Sequence, residues 1–379
     1  MNQTDRPARS IARNRIQSIQ YPLALFFFTT VFTFCFGVCA YLVLENKMPP
    51  EGWLGMWNRW DAPHYLDLAQ NGYPHEAGGR EFLLVLLPLY PLTIRLVYWI
   101  VRDWEIAALL VSNVCCAGAF VYFFLLNRLE SNERVARRGL FFLAIFPTAY
   151  FLHVGYAESL FLFLSIAAFY HARRGEWLLC GLLGMLATGT RIPGIALLPP
   201  LAFEYLQQKQ FRWREVRWDV LSLALLPLGG IIYIYICYYN AGSAFHFLDL
   251  QRKVWGAFLR WPFPSVEANW YGVWHAKASE RVLQYGGPFV AFVLATVALG
   301  VAPFRLRACY TIYLGVSWVL IFSNNYPVCS PRYLLAVFPF FMLLAQLCRR
   351  AWVRDSVIFV SLLFYAFCTT CLVRGWWTF

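Results

Sequence analysis

Charge is what this chain has least of. Asp, Glu, Lys and Arg supply 14% of its 379 residues, whereas 60% are hydrophobic and 19% aromatic, and the mean hydropathy is +0.52. No soluble domain of this size needs that surplus, so the composition excludes one and implies an all-α polytopic membrane protein. A signal-peptide cleavage site is missing too. The apolar run from Tyr21 to Leu44 has no small-residue cut site, is long enough to span, and follows Arg6, Arg9, Arg13 and Arg15; it reads as a retained first helix. Metal-ligand spacing is also absent. Cys35, Cys39, Cys115, Cys116, Cys368 and Cys371 lie inside apolar runs with no companion histidine pattern. They are expected to be small core residues, with no metal and no cofactor bound. Finally, the net charge of +12 comes without a basic face or an RNA-binding motif. Its arginines stand in short clusters between apolar runs, so the excess is topogenic and nucleic acid is excluded as a partner.

What is present is a series of apolar runs, near 22–44, 105–127, 139–153, 157–171, 178–190, 193–207, 219–239, 286–303, 309–323, 332–348 and 355–373. They predict about eleven transmembrane helices in one membrane-embedded domain over 1–379. A further run at 81–101 contains Pro88, Pro91 and Arg95. Counting it as a span would put the basic segment 128–138 outside. Omitting it gathers that segment, the N-terminal arginines, 172–176, 209–217, 304–307 and 349–354 on one side, as the positive-inside rule requires. The N-terminus is then cytoplasmic and 81–101 is re-entrant or partly embedded on the outer side. The outer side holds a first loop at 45–104, turns at 153–158 and 189–193, a long loop at 240–285, and 323–333.

The first outer loop carries "WNRWDAPHYLDLAQNGYP" (57–74). Ala62 suits a cap and Pro63 a first helical turn, while Asn71-Gly72 before Pro74 stops a helix, so the spacing predicts a short helix over 63–70. Its two stripes, Pro63, Leu66, Ala69 and Gln70 against His64, Tyr65 and Leu68, suit an element at the membrane surface. Asp61 stands just ahead of it, where the helix dipole favours the ionised form and the carboxylate is free to reach a ligand. The plainer alternatives are that Asp61 caps the helix or pairs with Arg59, and that Trp53, Trp57 and Trp60 are interface anchors. Glu158, at a tight outer turn, is a second acidic candidate, because acids entering a span are functional by default unless an arginine pairs with them. Arg191 and Arg332 lie at outer helix ends, with no acidic residue near them in sequence. Such charges converge at one membrane face, unlike a midplane transport site. The long outer loop adds bases, Arg252 and Lys253 among them, that are free either to bind anions or simply to meet solvent and lipid headgroups.

At these residues the chain resembles the PIG-V family of mannosyltransferases, which add a mannose to GPI anchors, and its bacterial relatives in the GT-C superfamily. "RWDAPHYLDLAQNGY" is similar to the family's first-loop signature, "LLPLYPLTIR" to the element that follows it, "GYAESLF" to its Glu-containing turn, "ATGTRIPG" to a later turn, and "PRYLLAVFPFFMLLA" to a late helix of the bacterial members. The resemblance implies a GT-C fold with an active site in the outer loops and a polyprenyl-phosphate sugar, a mannose, as donor. It maps the catalytic aspartate onto Asp61 and the second acid onto Glu158, and it makes Arg59, His64, Tyr65 and Tyr156 candidate substrate contacts. A bacterial lipid or glycan acceptor is favoured over a GPI anchor. The chemistry is coherent: inverting transfer needs a base for the acceptor hydroxyl and cations for the departing phosphate, for which Arg191, Arg332, Arg252 and Lys253 are candidates. A lipid-linked oligosaccharide flippase would instead need charges along a central cavity and an internal repeat, neither of which is visible. An O-antigen-polymerase-like or ligase enzyme would share the outer arginines without needing the RWD stretch.

Overall fold

The computed structural model describes residues 6–74, 79–325 and 327–379, with side chains from residue 19 onward except Ser279. The side chains of the N-terminal arginines and all of Tyr326, within the 323–333 segment, lie outside the described residues. Helix is the regular structure among the described residues, apart from one isolated antiparallel bridge between Leu259 and Asn324. In chain order the helices are α1 (Arg6–Glu45), α2 (Gly52–Gly55), α3 (Ala62–Asn71), α4 (Leu89–Val101), α5 (Trp104–Glu130), α6 (Glu133–Ala144), α7 (Glu158–Arg173), α8 (Trp177–Thr190) and α9 (Leu198–Gln208). They continue with α10 (Leu226–Ala241), α11 (His246–Trp255), α12 (Pro262–His275), α13 (Ala278–Glu280), α14 (Gly287–Val301), α15 (Ala308–Phe322), α16 (Ser330–Leu335), α17 (Pro339–Leu347) and α18 (Ala351–Val373).

Among the described residues, five stretches are continuous and apolar enough to cross a membrane: Ile19–Glu45, Trp104–Glu130, Trp218–Ala241, Arg281–Phe304 and Ala351–Val373. The count of about eleven spans is not confirmed. Helices α7, α8 and α15 run only 16, 14 and 15 residues, short of the roughly 20 needed for a straight crossing. The runs read as 139–153, 193–207 and 332–348 are broken near Pro147, Pro199 and Pro339, where proline removes a helical hydrogen bond and clashes with the preceding turn.

The core is centred on α7, buried along almost its whole length between α5 and α8. It needs no polar face because other helices surround it. The cysteine expectation holds for Cys116, Cys368 and Cys371, which are buried, but Cys115 is only partly buried and Cys35 and Cys39 are exposed on α1. Helix α4 is 13 residues long, about 20 Å. Tyr90 near its start bonds Ser112 of α5 at 2.7 Å. At its end Arg102 adopts φ +57° and leads into Asp103, which caps α5 by accepting from the Ile106 amide at 2.9 Å. Helix α4 therefore folds back along the first part of α5.

Candidate active site

The 57–74 stretch builds a turn and a helix. Trp60 takes φ +57°, which reverses the chain ahead of α3. Pro63 lies in the first turn, and Gly72 at φ +73° ends the helix. The expected helix over 63–70 is present with one more residue at each end. The cap position falls to Asp61, not Ala62, and its carboxylate makes no capping bond. It is therefore free for another partner. Tyr65, Leu66, Leu68 and Ala69 are all buried, because α3 packs against both α4 and α5. Trp57 is likewise no interface anchor. It is buried with its ring centroid 4.8 Å from that of Phe34, in space that a side chain at Gly37 of α1 would fill, whereas Trp53 and Trp60 are exposed.

Tyr156 holds the turn in place. Its hydroxyl donates to the Arg59 carbonyl at 2.8 Å and accepts from the Asp61 amide at 3.2 Å. Its ring, with that of Tyr65, forms a floor (centroids 6.4 Å apart). Burial raises the pKa of both phenols, reinforced by Glu158 at Tyr65 and by Asp61 at Tyr156, so both remain protonated donors.

On that floor four charges from four elements meet. Arg332 of α16 donates through Nη1 to Asp61 Oδ2 at 2.9 Å, and its Nε lies 3.2 Å from Glu158 Oε1. Arg191, which follows α8, donates through Nη1 to the same Glu158 oxygen. The guanidiniums lie over rings: Arg332 over Phe151, Tyr156 and Tyr333 at 5.2–5.6 Å, and Arg191 over Tyr333 at 5.2 Å. Sequence reading found no acidic neighbour for these arginines because their partners lie 33 and 271 residues away. The side chains of Glu158, Arg332 and Arg191 are 2%, 10% and 14% exposed, while Asp61 is 37% exposed. Asp61 is thus the open end of a buried chain of charge. Glu158 Oε2 and Arg332 Nε have no hydrogen-bond partner, so the cluster keeps an unused acceptor and an unused donor.

The remaining candidates sit apart. Arg59 pairs with exposed Glu51 at 3.1 Å, not with Asp61 or the cluster. His64 packs edge-on against Phe82 (4.8 Å), and Phe82 against Trp255 (6.4 Å) at the end of α11, the helix that carries Arg252 and Lys253. The loop that holds this helix makes further backbone contacts. Arg260 N donates to the Ser323 carbonyl, and Asn325 N to the Phe258 carbonyl, which ties it to the segment before Arg332. Sequence reading missed Tyr333, Phe151 and the segment after α18, where the Trp376 carbonyl accepts from the Trp60 indole at 3.3 Å and Thr378 bonds Tyr150. The aromatic run of that segment was the available signal. A cavity of about 520 Å³ opens on another face of α3, lined by Asn58, Gln70, Asp67, Asp103, Trp104 and Glu105; its carboxylates repel a phosphate.

The profile of the Mannosyltransferase (PIG-V) family matches residues 42–219. GPI alpha-1,6-mannosyltransferase 2 of Mus musculus is 32% identical over 164 residues, covering 39% of this chain and 31% of that protein. The same enzyme of Cricetulus griseus is 32% identical over 161 residues, covering 38% and 31%. The matched stretch thus spans under a third of these relatives. Among solved structures, the Archaeoglobus fulgidus oligosaccharyltransferase has a TM-score of 0.45 in its apo form (12% identity, 93% of this chain and 56% of that one). With zinc and sulfate it has a TM-score of 0.47 (13% identity, 92% and 53%). The resemblance read from the motifs is therefore borne out: residues 42–219 of this integral membrane chain, which hold Asp61, Tyr156, Glu158 and Arg191, match a glycosyltransferase family, the PIG-V mannosyltransferases.

Proposed function

We propose that the chain is a GT-C glycosyltransferase that moves a mannose, with inversion, from a polyprenyl-phosphate donor to a lipid or glycan acceptor at the outer face of the membrane. One observation carries this: Asp61 is the solvent-facing carboxylate of the cluster, fixed at the head of α3 and held by Arg332. In the reaction the acceptor oxygen attacks the anomeric carbon as the bond to the donor phosphate breaks. Asp61 takes the hydroxyl proton, which becomes acidic as the new bond forms, so a carboxylate is a sufficient base. Glu158 is too buried to meet the acceptor freely, and its role is to hold both arginines. Their guanidinium charge, and the N–H groups that do not face Glu158 or Asp61, stabilise the departing phosphate. Arg252 and Lys253 are the reserve for that task.

The outer placement is supported by α4, which is shorter than the roughly 30 Å hydrocarbon core and turns back beside α5. Residues 81–101 then stay on the side of the first loop. Membrane lipids surround the spans, and the N-terminus is cytoplasmic by the charge rule. Cysteine labelling at positions 103 and 130 tests the topology; outside-only labelling at 130 contradicts it. For the reaction, purified protein is incubated with polyprenyl-phosphate mannose and membrane lipids and the products are read by mass spectrometry. A new mannosylated product is expected. Transfer from polyprenyl-phosphate glucose instead would overturn the sugar, and no transfer from either donor would overturn the enzyme.

A further inference from the structure

Arg95 is the one charged residue of α4, whose Leu92, Leu96, Trp99 and Ile100 are exposed. An arginine on an apolar helix is costly to keep, so its partners matter. They are backbone carbonyls at the end of α3. Nε donates to Ala69 O at 2.6 Å, with weaker reaches of 3.5 Å from Nη2 to Leu68 O and Gln70 O. Ala69 O and Gln70 O are among the last carbonyls of a helix, which lack intrahelical donors and carry the negative end of its dipole, whereas Leu68 O already accepts from the Gly72 amide at 3.0 Å. Arg80 secures the same end, gripping Asp67 at 2.8 and 2.9 Å and reaching Gly72 O at 3.3 Å. Tyr90, five residues before Arg95, places its ring 5.0 Å from Tyr65 and bonds Ser112, which in turn donates to the Tyr156 carbonyl at 3.3 Å.

Helix α3 is therefore held from both ends: at its head by Tyr156 and Arg332, and at its tail by Arg95 of α4 on the backbone and by Arg80 on the Asp67 side chain and Gly72 O. We infer that Arg95 is a positioning residue that fixes the axis of α3 and so keeps the Asp61 carboxylate on Arg332, facing the acceptor. The inference rests on the proposed transferase reaction. The helix is about 15 Å long, so freeing its tail lets its head tilt, and a displacement near 1 Å costs roughly 100-fold in rate.

The test compares full-length wild type, Arg95→Lys and Arg95→Gln for kcat, donor KM and hydrogen exchange of the amides of 62–72. In Arg95→Gln, kcat is expected to fall about 10–100-fold with KM within about twofold, and exchange to quicken in α3 alone. Arg95→Lys, able to reach one carbonyl, is expected to lose less on both counts. Wild-type kcat or unchanged α3 protection in Arg95→Gln overturns the inference, as does quickened exchange spread over the whole bundle. If Arg95→Gln does not fold, Arg95→Lys decides, and wild-type values there overturn it. Should the wild type transfer no sugar, the proposed reaction fails, and the exchange data still show whether Arg95 holds α3.

Discussion

The two ends of α7 carry two charge clusters of nearly the same composition, and they differ in what they leave open. At the Arg173 end, Arg173 donates to Glu130 at 2.5 Å and to Glu204 at 2.8 Å. Glu204 also accepts from Gln208 at 2.9 Å and Arg307 at 3.4 Å, and Glu130 accepts from Tyr310 at 2.9 Å. Both oxygens of Glu204 have partners, the unpartnered buried atom is a donor, Arg307 Nε, and the most exposed member is a cation, Arg307, at 35%. At the Glu158 end one carboxylate oxygen is unpartnered and the most exposed member is an anion, Asp61. A closed cluster ties helix ends together; one that ends in an accessible carboxylate can also take a proton. Burial alone does not separate the two, since each buries a glutamate almost completely.

Paired substitutions sharpen the contrast. Glu158→Gln should lower kcat about 10–100-fold, because both arginines lose their anchor. Glu204→Gln, like Glu158→Gln, should destabilise the fold by about 3–5 kcal/mol, the typical cost of stranding buried charge, but its kcat per folded molecule stays at the wild-type value. Thermal unfolding and single-turnover transfer on both variants would separate these outcomes, and a kcat loss in Glu204→Gln would break the comparison. Arg191→Gln is expected to raise the donor KM or lower kcat about tenfold, with partial recovery in Arg191→Lys, since a point charge still meets phosphate. If donor titrations move neither constant, the phosphate task passes to Arg252 and Lys253.

Tyr156→Phe removes the hydroxyl that ties the Arg59–Asp61 backbone and should cost about 1–3 kcal/mol, with a severalfold drop in kcat. The smallest effect belongs to Arg59→Gln. Its pair with Glu51 is exposed at the glutamate and is worth at most about 1 kcal/mol, so near-normal turnover is expected. A large kinetic loss there would restore Arg59 to the site.

Much of this site was legible locally. Pro63, Asn71 and Gly72 punctuate α3 whatever surrounds it, and Asp61 and Glu158 stand out because acids are scarce in so apolar a chain. What could not be read was convergence. Arg191 and Arg332 reach Glu158 from elements distant in sequence, and no local period encodes which helix ends become neighbours. The stripes of α3 suited an element at the membrane surface, and did not show that α4 and α5 pack against it. The span count is unconfirmed for a related reason. Apolar runs report burial in lipid and burial in protein alike, so α7, enclosed by other helices, reads like a membrane span at 16 residues.

The account stands on Asp61 as the base, and the rate of Asp61→Asn tests that directly. Wild type and variant are purified alike, matched by thermal unfolding, and given polyprenyl-phosphate mannose with acceptor lipids in a single-turnover assay. The amide keeps the shape of the side chain but cannot accept the proton, so transfer should fall at least about 100-fold with the unfolding midpoint close to that of the wild type. Transfer by Asp61→Asn at near the wild-type rate would contradict the account.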